Sequence, residues 1–176
     1  MNITFIIGGA RSGKSAFALN EAMKVEGRKA YIATAEALDE EMRERIEKHK
    51  AERGSDWETC EAPLKISEVL LNMKNTNGVV LLDCLTIWLS NILLRAETPD
   101  PGIESPEETI RKFTDNLKKL NGMKLFIVSN EVGSGIVPEN KLARRFRDLA
   151  GTLNQEVAGI ANEVYMVTAG IPVKIK

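Results

Sequence analysis

The octapeptide Gly8, Gly9, Ala10, Arg11, Ser12, Gly13, Lys14, Ser15 sits between an apolar run over 3–7 and a stretch with helical spacing over 15–26. A strand that turns through glycines straight into a helix has few physical uses. The glycines let the backbone curl so that successive N–H groups face one concavity, and the positive end of the following helix adds to their field. Such a concavity holds a polyphosphate. The match to G-x-x-x-x-G-K-[ST] is complete: Lys14 then neutralises the β/γ oxygens, and Ser15 offers its hydroxyl to Mg²⁺, which takes hard oxygen ligands.

The rest of the chain repeats the strand-then-helix theme. Short apolar runs over 3–7, 30–33, 79–82, 125–128 and 164–167 read as strands, several of them without polar alternation and so buried on both faces. Helical spacing covers 15–26, 39–53, 64–73, 85–95, 107–120 and 139–161. This alternation predicts an α/β fold of the P-loop NTPase type, a three-layer α/β/α arrangement around a mostly parallel sheet. The end differs, because 164–168, Ala169-Gly170 and 171–175 predict a C-terminal antiparallel hairpin at a sheet edge. At 176 residues the expectation is a single nucleotide-binding domain over 1–176, large enough to bury about 70% of its unfolded surface. The stretch 96–108 holds three of the six prolines and reads as a surface loop, with a lid over substrate as the alternative.

Composition narrows the compartment and the partners. No apolar run approaches the ~18 residues of a membrane span, and the first residues lack the basic region of a secretory signal. Cys60 and Cys84 form no C-x-x-C, which argues against a zinc site and a disulfide framework, so a reducing cytoplasm is expected. A net charge of −1 and 5% aromatic residues provide neither the basic excess nor the stacking platform of a nucleic-acid binder. A polyanionic ligand must then be gripped locally.

Two further positions carry candidate chemistry. Asp83 ends the apolar run 79–82, where an acid reaches Mg²⁺ directly or through water; the alternative is a helix N-cap. His49, the only histidine, lies on the 39–53 helix, whose Leu38, Met42 and Ile46 are expected to form a buried stripe. Arg45 and Arg53 flank it at i−4 and i+4 and disfavour the imidazolium, which keeps the ring nucleophilic. Spacing alone favours a solvated helix here, since Glu41, Glu44, Glu47 and Glu52 alternate with the basic groups. The turn after 125–128, from Asn130 to Pro138, starts on the rim of strand carboxyl ends where such sheets collect ligands, together with 8–15, 34–36 and 83–86; it holds a lone G-x-G and reads as a flexible connection. On the last helix Leu142, Phe146, Leu149, Leu153, Val157 and Ile160 are expected as its core stripe, with Lys141, Arg144, Arg145 and Arg147 as solvated charge.

Taken together, the octapeptide, Tyr31-Ile32-Ala33-Thr34-Ala35, the Glu41-Met42, Arg45-Ile46 and His49-Lys50 pairs, Asn130-Glu131-Val132-Gly133 with 135–140, the Arg144, Phe146, Arg147, Asp148 segment, and 170–176 resemble one family over nearly the whole chain. It is the bifunctional adenosylcobinamide kinase / adenosylcobinamide-phosphate guanylyltransferase family. The resemblance implies phosphorylation of the aminopropanol hydroxyl of adenosylcobinamide, then transfer of GMP from GTP to adenosylcobinamide phosphate with release of pyrophosphate, in cobalamin biosynthesis. It implies a GMP-histidine intermediate on His49, with Lys14 as the other catalytic group. It also implies a guanine nucleotide site at Gly8, Gly9, Ala10, Arg11, Ser12, Gly13, Lys14, Ser15, Thr34, Ala35, Glu36, Lys50, Ala51, Glu52, Arg53, Glu61 and Asp83, with Mg²⁺ at Ser15 and Asp83. GTP is the expected nucleotide, ATP being an alternative donor for the kinase step, and the assembly implied is a homotrimer. The alternatives are a P-loop kinase of another small molecule without guanylyl transfer, a nucleotide switch, and a nucleic-acid motor. A switch calls for N-K-x-D and D-x-x-G, whereas the corresponding segments read Asn130-Glu131-Val132-Gly133 and Asp83-Cys84-Leu85-Thr86.

Overall fold

Seven strands form one sheet in the order β3-β2-β4-β5-β1-β6-β7. The computed structural model describes residues 2–37, 40–54, 56–73, 78–98 and 102–176, apart from the side chains of Arg45, Lys48, His49, Glu52 and Arg53. The strands are β1 (Asn2–Gly8), β2 (Lys29–Ala33), β3 (Trp57–Glu61), β4 (Val79–Asp83), β5 (Lys124–Asn130), β6 (Glu163–Thr168) and β7 (Ile171–Lys174). The first six run parallel, and β7 returns antiparallel against β6. The expected α/β class, parallel sheet and C-terminal hairpin are all present.

The helices are α1 (Lys14–Met23), α2 (Glu40–Arg53), α3 (Ile66–Asn72), α4 (Leu85–Ala96), α5 (Pro106–Lys119) and α6 (Lys141–Ile160). Strand side chains alternate between the two sheet faces, so parity sorts the core into halves. Ile3, Phe5, Ile32, Val80, Leu82, Leu125 and Ile127 pack with Trp88, Phe113, Leu153 and Val157 from α4, α5 and α6. Residues of the other parity, Ile6, Tyr31, Trp57, Val79, Leu81, Phe126 and Val128, pack with Ala18 and Ala22 of α1. Small alanines let α1 lie close to the sheet.

Three expectations need correction. Strand β3 was not anticipated, because an edge strand covered on one face needs little apolar content: Trp57 is buried while Glu58 and Thr59 are exposed. The expected buried stripe on α2 is absent among the described residues: Met42 and Ile46 are only half-buried, and Leu38 lies outside the described residues. On α6 only Leu153 and Val157 of the expected stripe are fully buried, with Phe146, Leu149 and Ile160 partly so.

Candidate functional site

The carboxyl ends of the parallel strands form one rim, the usual place for ligands in such sheets. The loop after β1 curls through two left-handed residues, Arg11 (φ 56°) and Gly13 (φ 91°). A Cβ at Gly8 would lie 2.4 Å from the Val167 carbonyl oxygen, and one at Gly13 would lie 3.1 Å from Gly170 Cα. Only glycine fits at either place. The β6–β7 turn braces the loop from outside, with the Gly170 N–H donating to the Ser12 carbonyl at 2.8 Å. Lys14 is 8% exposed and its Nζ donates to the Gly9 carbonyl at 3.1 Å, so the ammonium is tied back over the loop.

A cleft of about 350 Å³ opens beside this loop. Its walls carry Ala10, Lys14 and Ser15 from the loop and α1, Tyr31, Ala33 and Ala35 from the β2 end, Asp83 and Cys84 from the β4 end, and Asn130 from the β5 end. The roof is α2, through Met42, Ile46 and Lys50 at helical i, i+4, i+8 spacing. Lys50 also pairs with Glu61 at 3.7 Å, which links α2 to the end of β3.

The structure therefore brings together Ala10, Lys14, Ser15, Ala35, Lys50, Glu61 and Asp83 of the expected site. Gly8, Gly9, Arg11, Ser12 and Gly13 form the loop itself. Thr34 behaves differently. It is fully buried, and its Oγ1 accepts from the Cys84 N–H at 2.8 Å and donates to the Cys84 carbonyl at 2.9 Å, so its hydroxyl fixes backbone and does not face the cleft. Glu36 and Ala51 are exposed, and neither lines the cleft. The backbone of His49, Glu52 and Arg53 belongs to α2; their side chains lie outside the described residues.

Asp83 is no helix cap. The N-cap of α4 is Cys84, without a side-chain cap bond, and the Asp83 carboxylate instead accepts from the Tyr31 hydroxyl at 3.0 Å. Among the described residues no cluster of three or more His, Cys, Asp or Glu could cage a metal ion. Of the cleft's carboxylates, Glu61 pairs with Lys50, and Asp83 with the Ser15 hydroxyl is the hard-oxygen pair beside the loop, suited to an ion that shares its shell with phosphate and water. The buried Cys84 thiol is pushed up to about 11 by desolvation and by the neighbouring Asp83 charge, so it stays protonated and inert beside them. Both cysteines are free.

Sequence reasoning placed Asn130 on the ligand rim, where the cleft lies, but passed over Tyr31, Met42 and Ile46 as cleft residues. The signal for Tyr31 was parity, since it shares a face with Ala33 and that face packs on the α1 side.

Comparison with known proteins agrees with this geometry. The model of the family described as cobinamide kinase / cobinamide phosphate guanyltransferase matches residues 4–175. The bifunctional adenosylcobalamin biosynthesis protein CobU of Escherichia coli (strain K12) is 42% identical over 97% of this chain and 98% of its own. CobU of Salmonella typhimurium is 39% identical over 97% and 98%, and CobP of Pseudomonas aeruginosa 40% identical over 97% and 95%. Among solved structures, a prototypical ATPase from the type III secretion system of pathogenic bacteria superposes with a TM-score of 0.59 at 11% identity. That match covers 98% of this chain but 56% of the other, and the likeness is one of fold. No helix among the described residues is long and apolar enough to cross a membrane. A P-loop, an acid and a helix carrying Lys50 converging on one cleft, in a chain matched over nearly its full length, place this enzyme in the cobinamide kinase / cobinamide phosphate guanyltransferase family.

Proposed function

We propose that this chain phosphorylates adenosylcobinamide at its aminopropanol hydroxyl and then guanylylates the product with GTP through a GMP adduct on His49. The observation that carries this reading is that α2 and the phosphate loop wall the same cleft. Position 49 falls three residues after Ile46 and one before Lys50, both cleft residues. The nucleophile is thus carried on the element that roofs the nucleotide.

In the kinase step the hydroxyl oxygen bonds to the γ-phosphorus as the bond to the β–γ bridging oxygen breaks. The nucleoside diphosphate leaves with the electron pair, and the hydroxyl proton passes to solvent. Loop N–H groups and Lys14 offset the charge that gathers on the phosphates. In the second step an imidazole nitrogen of His49 bonds to the α-phosphorus of GTP, and pyrophosphate leaves. A phosphate oxygen of adenosylcobinamide phosphate then attacks the same phosphorus, the P–N bond breaks, and His49 is regenerated. Mg²⁺ would be held by Ser15 and Asp83 and would supply charge neutralisation to the polyphosphate.

GTP is the nucleotide of the second step, with ATP an alternative donor for the first; the setting is a cytoplasmic homotrimer of single P-loop domains over 1–176. The test supplies adenosylcobinamide, Mg²⁺ and GTP labelled at either the α- or the γ-phosphorus. The expected result is γ-label on the corrinoid first, followed by α-label as the guanylylated product forms. No transfer of either label to the corrinoid contradicts the reading.

A further inference from the structure

Asn130 is the last residue of β5, the strand that lies between the phosphate-loop strand β1 and the Asp83 strand β4. Register places Asn130 opposite Gly8 and Val128 opposite Asp83. Asn130 therefore projects one side-chain repeat beyond Asp83 on the same face, towards the space above the loop. It lines the cleft with Lys14, Ser15 and Asp83.

Its backbone is held on every side. The Asn130 N–H donates to Thr86 Oγ1 at 2.6 Å, its carbonyl accepts from Asn154 Nδ2 at 3.0 Å, and the next N–H, of Glu131, donates to the Gly8 carbonyl at 3.0 Å. Thr86 Oγ1 lies 3.2 Å from Ser129 Oγ, and both hydroxyls are buried. The side chain is treated otherwise. Asn130 Oδ1 is buried and has no hydrogen-bond partner among the described residues. Asn154 Oδ1 is likewise buried without a partner, but its Nδ2 is spent on the Asn130 carbonyl, whereas neither end of the Asn130 carboxamide makes a hydrogen bond among the described residues and the side chain lines the cleft.

We propose that Asn130 is a catalytic residue of the phosphoryl-transfer step, its carboxamide holding the γ-phosphoryl group in line between Lys14 and the incoming hydroxyl. A neutral amide suits this place. It donates to a phosphate oxygen through Nδ2, without the repulsion that a carboxylate would add. The bonds made and broken are those of the kinase step above, and Asn130 itself gains and loses no proton.

This inference rests on the kinase reading, so the experiment separates the two. Nucleotide affinity, melting temperature and the kcat and KM of γ-label transfer to adenosylcobinamide are measured for the wild-type chain, Asn130→Ala and the isosteric Asn130→Asp. The expected result is a kcat about 100-fold lower in Asn130→Ala, the usual scale for one lost donor, with nucleotide affinity within about threefold and melting unchanged. Asn130→Asp keeps the shape and should lose at least as much kcat. Wild-type transfer with kcat within about threefold in both variants overturns this assignment alone, as does a loss confined to KM. A wild-type chain that binds nucleotide but transfers no γ-label overturns the kinase reading together with this assignment.

Discussion

The Tyr31 hydroxyl donates to Asp83 Oδ2 at 3.0 Å across the β2–β4 seam, fixing a carboxylate that lines the cleft with Ser15. Tyr31 is 5% exposed and its ring packs edge-on against Trp57, so the donor is itself immobile. Removing only that oxygen in Tyr31→Phe should leave melting within a few degrees, since the ring packing is kept. If Asp83 holds Mg²⁺ as proposed, the Mg²⁺ concentration for half-maximal turnover should rise about tenfold, the scale of a lost hydrogen bond behind a metal ligand. A Mg²⁺ titration is the check, and an unchanged midpoint would leave the Tyr31 hydroxyl without a role in the site.

Gly13 is bounded by Gly170 Cα, 3.1 Å from where a Cβ would stand, and by its own φ of 91°. Gly13→Ala should strain the loop by about 1–3 kcal/mol and push it off the β6–β7 turn. GTP affinity should fall at least tenfold, while the core on the other sheet face keeps the fold. Calorimetric titration with GTP reads this directly; wild-type affinity would mean that the loop tolerates a displacement from Gly170.

The turn after β5 has its own electrostatic lock. The Ser134 hydroxyl, with the backbone N–H groups of Gly133 and Ser134, holds the Glu131 carboxyl below its ordinary value. A carboxyl with a depressed folded pKa contributes stability above its unfolded value of about 4.3 and loses it as pH falls through the folded pKa. The wild-type chain should thus exceed Glu131→Gln in stability near pH 6, and the gap should close below about pH 4. The difference should be small, because the group is largely solvated. Paired denaturant titrations at the two pH values measure it, and a gap that persists at low pH would contradict the lock.

Much of this architecture is legible in the chain because β1, β2, β4 and β5 are buried on both faces and announce themselves as apolar runs. The octapeptide needs only its neighbours to be placed. What escaped is conditional on the third dimension. Trp57, Glu58, Thr59, Cys60 and Glu61 make an edge strand with one covered face, which has too little apolar content to register as a run. Met42 and Ile46 carry the period of a core stripe, and that period is the same whether a helix faces a core or a cleft; here it faces the cleft. Asp83 before a helix satisfies the patterns for a cap and for a metal ligand alike, and only the structure excludes the cap, through the Cys84 N-cap and the Tyr31 bond. Asn130 is placed on the rim by the end of its strand, but only register shows that it stands opposite Gly8 and one repeat beyond Asp83.

The central claim is that α2 carries a nucleophile to the nucleotide held by the loop, and a covalent trap tests it most directly. The wild-type chain is incubated with α-labelled GTP and Mg²⁺, denatured, and counted for label on protein, with His49→Ala alongside. The account predicts label in the wild type, labile to acid and stable to alkali as a phosphoramidate is, and none in His49→Ala. Label that persists in His49→Ala, or a folded wild-type chain that binds GTP and takes up none, would contradict it.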